Sequence, residues 1–183
     1  MSEQEEQVVL VDENDRETGR MGKLDAHRRG LLHRAISVFV FDGRGCLILQ
    51  RRAAAKYHSG GQWANTCCSH PRPGESTQDA AHRRLFEELG FDCGLTYRAD
   101  IRYQAEVGSG LVENEFVSAY VGRYEGEIAP NPLEVAEWRA VRPEDLAREI
   151  EVAPEFFAPW LRIYVRDHSD ILFGREPAAS AAR

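Results

Sequence analysis

The stretch Cys67-Cys68-Ser69-His70-Pro71-Arg72-Pro73-Gly74-Glu75, followed by Arg83-Arg84-Leu85-Phe86-Glu87-Glu88-Leu89-Gly90, constrains the fold more than any other part of this chain. Prolines and a glycine force a turn after the thiols and His70. Ser76 is placed to cap a helix, with Asp79 three residues on as a shorter capping-box partner. Ala81, Leu85 and Leu89 recur every four residues, which gives the helix a buried stripe, and Gly90 stops it. A thiol, an imidazole, two arginines and two adjacent glutamates must therefore lie close together against a core. Packing alone does not ask for that mixture.

Short extended and helical signals alternate along the rest of the chain. Val8 to Val11 reads as a strand and Asp12 to Asp15 as the turn after it. Residues 23–34 carry His27 and His33 among basic and apolar residues. Ser37 to Phe41 and Cys46 to Gln50, joined by Asp42-Gly43-Arg44-Gly45, read as a hairpin. Residues 53–75 form a long connection rich in Gly, Ser and Pro, and the His, Cys and Trp63 within it favour a functional loop. Phe116 to Val121 and Glu134 to Val141 read as strands, and Pro143 opens a helix to about Ile150. One aromatic-rich helix is expected from Pro154 to about Leu172. The expected class is a single mixed α/β (α+β) domain over residues 1–183, with about 1–7 and 174–183 disordered.

Composition excludes several classes of function. The 183 residues suit one domain with a full core, and no apolar run approaches the roughly 18 residues of a membrane span. A net charge of −7 disfavours non-specific nucleic-acid binding, although clusters such as Arg51-Arg52 with Lys56 and Arg83-Arg84 leave room for a small anion. Four cysteines, two of them adjacent, do not form a secreted disulfide pattern, and the acidic N-terminus lacks a signal-peptide core. These features place the protein in the cytoplasm with free thiols.

Several residues are candidates for chemistry. If residues 111–121 form a strand, Glu113 and Glu115 share a face, and two carboxylates beside a sheet call for a counter-charge such as a divalent cation. With His27, His33 and His70 the donor set would suit Zn, Mn or Fe, extending to Mn and Mg through the carboxylates. Spacing alone favours the plainer reading of surface histidines and solvated glutamates. Arg83/Glu87 and Arg84/Glu88 are either surface ion pairs or arginines and carboxylates that hold a Mg2+-diphosphate. Cys68 is either a small buried hydrophobe or a base whose pKa is lowered by nearby cations. Trp160 and Tyr103 are core residues by default, although a tryptophan ring can also face a cation.

The span Ser69 to Phe91 resembles the Nudix box in spacing, with Ser69 where that motif has Gly and Arg84 where it has Glu. The chain resembles the type I isopentenyl-diphosphate isomerases of that superfamily over about residues 8–173. The resemblance rests on Lys23-Leu24-Asp25-Ala26-His27, His33-Arg34-Ala35, Arg51-Arg52-Ala53 with Lys56, Trp63-Ala64-Asn65-Thr66-Cys67-Cys68-Ser69-His70-Pro71, Glu113-Asn114-Glu115 and Pro159-Trp160. In that family the thiol precedes a small residue and then His-Pro, which selects Cys68 over Cys67.

The resemblance implies a Nudix-like mixed sheet flanked by helices. It also implies that His27, His33, His70, Glu113 and Glu115 form one metal site for Mn2+, Zn2+ or Mg2+, and that Glu88 and the Cys68 backbone help hold a Mg2+ on the substrate diphosphate. Lys23, Arg52, Lys56 and Arg84 become the diphosphate clamp. Glu115, assisted by Tyr103, would protonate the alkene of isopentenyl diphosphate. Cys68 would remove a proton on the opposite face, with Trp160 over the cation. The partner is then a small isoprenoid diphosphate, and a monomer is expected. A Nudix hydrolase or a non-catalytic metal-binding module are the alternatives.

Overall fold

The computed structural model describes residues 6–174. Of the ends expected to be disordered, residues 1–5 and 175–183 lie outside the described residues, whereas Gln7 already pairs with Gly22. Nine strands share one mixed sheet, with helices packed on it.

Strand β3 (His33–Phe41) is the centre of the sheet, and eight of its nine residues are buried. A strand covered on both faces reads as a continuous apolar run. One edge of β3 pairs in parallel with β8 (Leu111–Arg123), His33 opposite Glu115. The other edge is shared in turn by β1 (Gln7–Val11), β6 (Cys67–Ser69) and β4 (Leu47–Arg52). The expected hairpin after Phe41 therefore closes with one pair, Phe41 and Leu47, and then opens because β6 takes the next stretch of that edge. Strand β4 instead lies along β9 (Val135–Val141) and β5 (Trp63–Ala64).

Four strands depart from the sequence expectation: β5 and β6 interrupt the connection expected over residues 53–75, and β2 (Glu17–Gly22) and β7 (Leu95–Gly108) fall where no strand is expected. Strand β2 pairs with β1, and β7 runs antiparallel to β8 through most of its length. Strand β2 is polar and glycine-rich and shows no apolar alternation, whereas β7 does carry the half-buried pattern, with Ala99, Ile101, Tyr103, Ala105 and Val107 alternating with Asp100, Arg102, Gln104 and Glu106.

Helix α1 (Lys23–Arg29) ends on Gly30 in the left-handed conformation. Helix α2 (Thr77–Leu89) starts at Ser76, whose hydroxyl accepts from Asp79 N, and buries Ala81, Leu85 and Leu89 against β3 and β6. Helix α3 (Pro143–Val152) follows β9. The single helix expected from Pro154 to Leu172 is three pieces: a 3-10 turn over Pro154–Phe156, α4 (Pro159–Asp167) and α5 (Ser169–Phe173). Pro159 has no N–H and forces Ala158 to be extended, with ψ at 140°, and His168 at φ −132° breaks the chain again. The break is useful. Ala158 N donates to Trp63 O at 2.8 Å, which pins the start of α4 and sets Trp160 under the sheet.

Candidate active site

Four of the expected metal ligands meet. Ligand atoms of His27 on α1, His33 at the start of β3, His70 just after β6 and Glu115 on β8 all lie within 4.8 Å of one another. His33 Nε2 is 3.2 Å from His70 Nε2 and 3.6 Å from Glu115 Oε1, and His70 Nε2 is 3.0 Å from that oxygen. Nδ1 of His27 donates to Lys23 O and Nδ1 of His33 donates to Leu31 O, because a carbonyl can only accept. In the neutral rings both Nε2 lone pairs then point into the site, the arrangement that fixes imidazoles as ligands. His27 Nε2 is buried with no hydrogen-bond partner. These observations fit a divalent cation. Glu113 does not fall in this set and groups instead with His27 and His58.

Both carboxylates are buried against Tyr103. Strand register accounts for this, because β7 places Tyr103 opposite Glu115 and Ala105 opposite Glu113. Tyr103 Oη lies 2.8 Å from Glu113 Oε2 and 2.7 Å from Glu115 Oε2. One phenolic proton serves one of these contacts, so a second proton must sit on the other carboxyl and be donated back. Burial and the neighbouring Glu115 charge push Glu113 well above the usual carboxylate range. Burial also opposes ionisation of Glu115, but the His70 ring at hydrogen-bond distance and the His33 ring beside it outweigh burial and hold that carboxyl low. The shared proton therefore rests on the Glu113 side.

The thiol of Cys68 donates to Asn65 Oδ1 at 2.9 Å and lies 3.2 Å from Ser37 Oγ, which in turn is 2.8 Å from the Tyr164 hydroxyl. Asn65 cannot turn its amide over, because Nδ2 donates to both Val38 O and Cys67 O. The expectation that nearby cations lower the pKa of Cys68 is not met. Burial, together with the charges of Glu115 and Glu113, pushes the thiol up, the Asn65 carbonyl favours the same protonated form by accepting from it, and the Ser37 hydroxyl is the neighbour able to donate to a thiolate. Cys67 is fully buried among Ile36, Leu85 and their neighbours on the other face of the sheet, and burial pushes its thiol up as well.

The four expected diphosphate ligands line the same cavity as Cys68, the carboxylates and Trp160. Each already meets a protein acceptor or ring. Lys23 Nζ donates to Glu6 at 3.1 Å, Lys56 Nζ to Glu134 at 2.9 Å, and Arg84 to Glu88 at 2.7 Å. Arg52 lies over the Trp160 ring at 5.3 Å. Both expected helical pairs form, Arg83 with Glu87 at 3.1 Å and Arg84 with Glu88, and Arg83 also grips Glu75. Glu88 is almost fully buried and also accepts from Gln50. An entering dianion would compete with Glu6 and Glu134 for these cations.

His58 carries no motif and has no counterpart in the sequence reading. Its one signal is its place in the Gly/Ser loop between Lys56 and Trp63. Its side chain is buried, with Nε2 3.3 Å from Glu113 Oε1 and its ring edge-on to Trp160 at 5.7 Å.

Comparison with known proteins completes the description. The NUDIX domain family matches residues 31–162. "Isopentenyl-diphosphate Delta-isomerase" of Cereibacter sphaeroides is 56% identical over 156 residues, covering 84% of this chain and 88% of its own. "Isopentenyl-diphosphate Delta-isomerase 2" of Aromatoleum aromaticum is 52% identical over 157 residues, covering 86% and 83%. Among solved structures, DR0079 from Deinococcus radiodurans superposes with a TM-score of 0.74 over 88% of this chain and 98% of its own, at 22% identity, a likeness of fold alone.

Proposed function

The chain belongs to the isopentenyl-diphosphate Delta-isomerase family of NUDIX domain proteins, and we propose that its buried carboxyl–phenol group and its thiol divide the two proton transfers of that reaction. It is an isomerase that converts isopentenyl diphosphate to dimethylallyl diphosphate by moving a double bond one position.

An unactivated alkene is a very weak base, so the acid must be strong and the resulting tertiary cation must be shielded from water. The observation that carries the reading is the Glu113–Tyr103–Glu115 group, which holds a proton inside the protein, in one cavity with Cys68. The proton resting on Glu113 passes through the Tyr103 hydroxyl to Glu115, which then delivers it to the terminal carbon, leaving both carboxyls ionised until a proton returns from solvent. Cys68 accepts the proton lost from the allylic carbon, with its thiolate form held by the Ser37 hydroxyl. The Trp160 ring stabilises the cation and keeps water away from it. Lys23, Arg52, Lys56 and Arg84 bind the diphosphate, which fixes the alkene between acid and base and removes much of the entropic barrier.

His27, His33, His70 and Glu115, joined by Glu113, would hold a divalent cation. That ion supplies the positive charge two buried carboxylates need and makes the carboxyl–phenol group more acidic. An imidazole-rich set favours Mn2+ or Zn2+ over Mg2+ there, whereas Glu88 and the Cys68 backbone suit a Mg2+ carried in on the diphosphate. No described helix is long and apolar enough to cross a membrane. The four cysteines are free, and we place the protein in the cytoplasm as a monomer acting in isoprene biosynthesis.

The test is incubation with isopentenyl diphosphate, Mg2+ and Mn2+ in D2O, followed by NMR. Dimethylallyl diphosphate carrying solvent deuterium is expected. Released phosphate or unchanged substrate would refute the assignment.

A further inference from the structure

We propose that His58 is a metal ligand, a fourth imidazole that the diphosphate-binding loop contributes to the His/Glu centre. The inference rests on the metal reading above and extends it to a residue outside the motifs that carry the family resemblance.

Three observations support it. First, the ligand atoms of His58, His27 and Glu113 lie within 4.8 Å of one another, and all three residues are buried. His27 belongs both to this set and to the set with His33, His70 and Glu115, and its Nε2 has no other partner. An ion beside that nitrogen would have both sets as neighbours.

Second, the loop is built to aim His58 inward. Ser59 is in the left-handed conformation at φ 51°, unusual for a residue other than glycine. A Cβ on Gly60 would meet Ala54 O at 2.6 Å, so the chain folds back on itself there. Arg52 donates to His58 O at 3.3 Å, and Gly61 N donates to Arg52 O at 3.0 Å.

Third, the ring is clamped between Tyr57, at a centroid distance of 4.3 Å, and the edge of Trp160. Few other orientations are open to it.

The two sets share His27, and a single ion serving both would draw on His27, His33, His58, His70, Glu113 and Glu115. A donor set that large would favour an ion of higher coordination number, and of the two ions favoured above it would select Mn2+ over Zn2+. With so many protein donors the ion would have little room for a water, so it would serve to hold the carboxyl–phenol group and not to supply a hydrolytic nucleophile. Coordination by His58 would also tie the Arg52–Lys56 loop to the ion, so metal and diphosphate would each raise the other's affinity.

The experiment uses the purified chain loaded with Mn2+ alone. Pulsed EPR of the bound ion counts coordinated imidazole nitrogens without any mutation. Four are expected in the wild type and three in His58→Asn, whose Mn2+ Kd should rise roughly tenfold or more. Amide exchange over residues 53–62 should slow on Mn2+ binding in the wild type and not in the variant. Three nitrogens in the wild type would overturn the proposal, whatever the variant's affinity. An absence of any nitrogen coupling, or of Mn2+ binding, would instead refute the metal reading itself.

Discussion

At the scale of single residues, the proton positions are the main constraint. Cys68 rests as a thiol because burial disfavours its charge and because the fixed amide of Asn65 offers it only an acceptor. Its basic form is therefore the minority species near neutrality and grows as pH rises. We expect kcat/KM to increase with pH across the neutral range, with one proton released per active site, and a pH–rate profile of the Mn2+-loaded enzyme checks this. Cys68→Ala and Glu115→Gln should each lower kcat by between roughly 100- and 10 000-fold with little change in thermal unfolding temperature. A Cys68→Ala enzyme near wild-type rate would remove the thiol from the reaction. Arg84 occupies a position where the Nudix box carries a glutamate, and it pairs with Glu88 and Glu134. Arg84→Ala should raise KM for the diphosphate. It should also destabilise the fold, since it strands the buried Glu88 without its cation.

At the scale of elements, α2 depends on its two ends. Ser76→Ala removes the hydroxyl that accepts from Asp79 N and should cost about 1 kcal/mol by urea denaturation. Gly90→Ala should cost more. Gly90 sits at φ 74°, and a Cβ there would lie 2.4 Å from Ala129 O, a backbone atom that cannot step aside without moving the chain. This helix was readable in the sequence because cap, stripe and stop agree. Strand β7 is legible too, since Ala99, Ile101, Tyr103, Ala105 and Val107 alternate with Asp100, Arg102, Gln104 and Glu106, whereas β2, polar and glycine-rich, is a strand only through its pairing with β1. The helix expected over Pro154 to Leu172 failed at Pro159, a proline that reads equally well as the first residue of a new helix. The site shows the same division. Spacing alone left His70, Cys68 and the Glu113/Glu115 pair open, and the resemblance to the isomerase family marked them as site residues. Nothing local marks His58, whose burial depends on a loop turned by Ser59 and Gly60.

At the scale of the whole molecule, the buried imidazoles make stability depend on pH. Burial pushes His27 down to about 4, His70 to about 3 and His58 to about 2, so the folded chain refuses protons that the unfolded chain takes up near 6.5. Their contribution is complete above 6.5 and is lost as pH falls from there toward 4 and below, at about 1.4 kcal/mol per pH unit for each imidazole that protonates only on unfolding. Metal-free protein should therefore show a steep fall in urea midpoint between pH 7 and pH 5, shallower in a His27→Gln variant.

The parallel pairing of β3 with β8 has one further consequence, for the order in which the protein assembles. His33 and Glu115 face each other across that ladder, although some 80 residues of chain separate them. Contacts that distant form late, after the entropy of closing the intervening loop has been overcome. The metal donors are thus scattered in the nascent chain and converge only when the two halves of the sheet join. Stopped-flow refolding should show intrinsic tryptophan fluorescence settling no later than Mn2+ uptake, which makes the ion a seal on a finished fold and not a template for it.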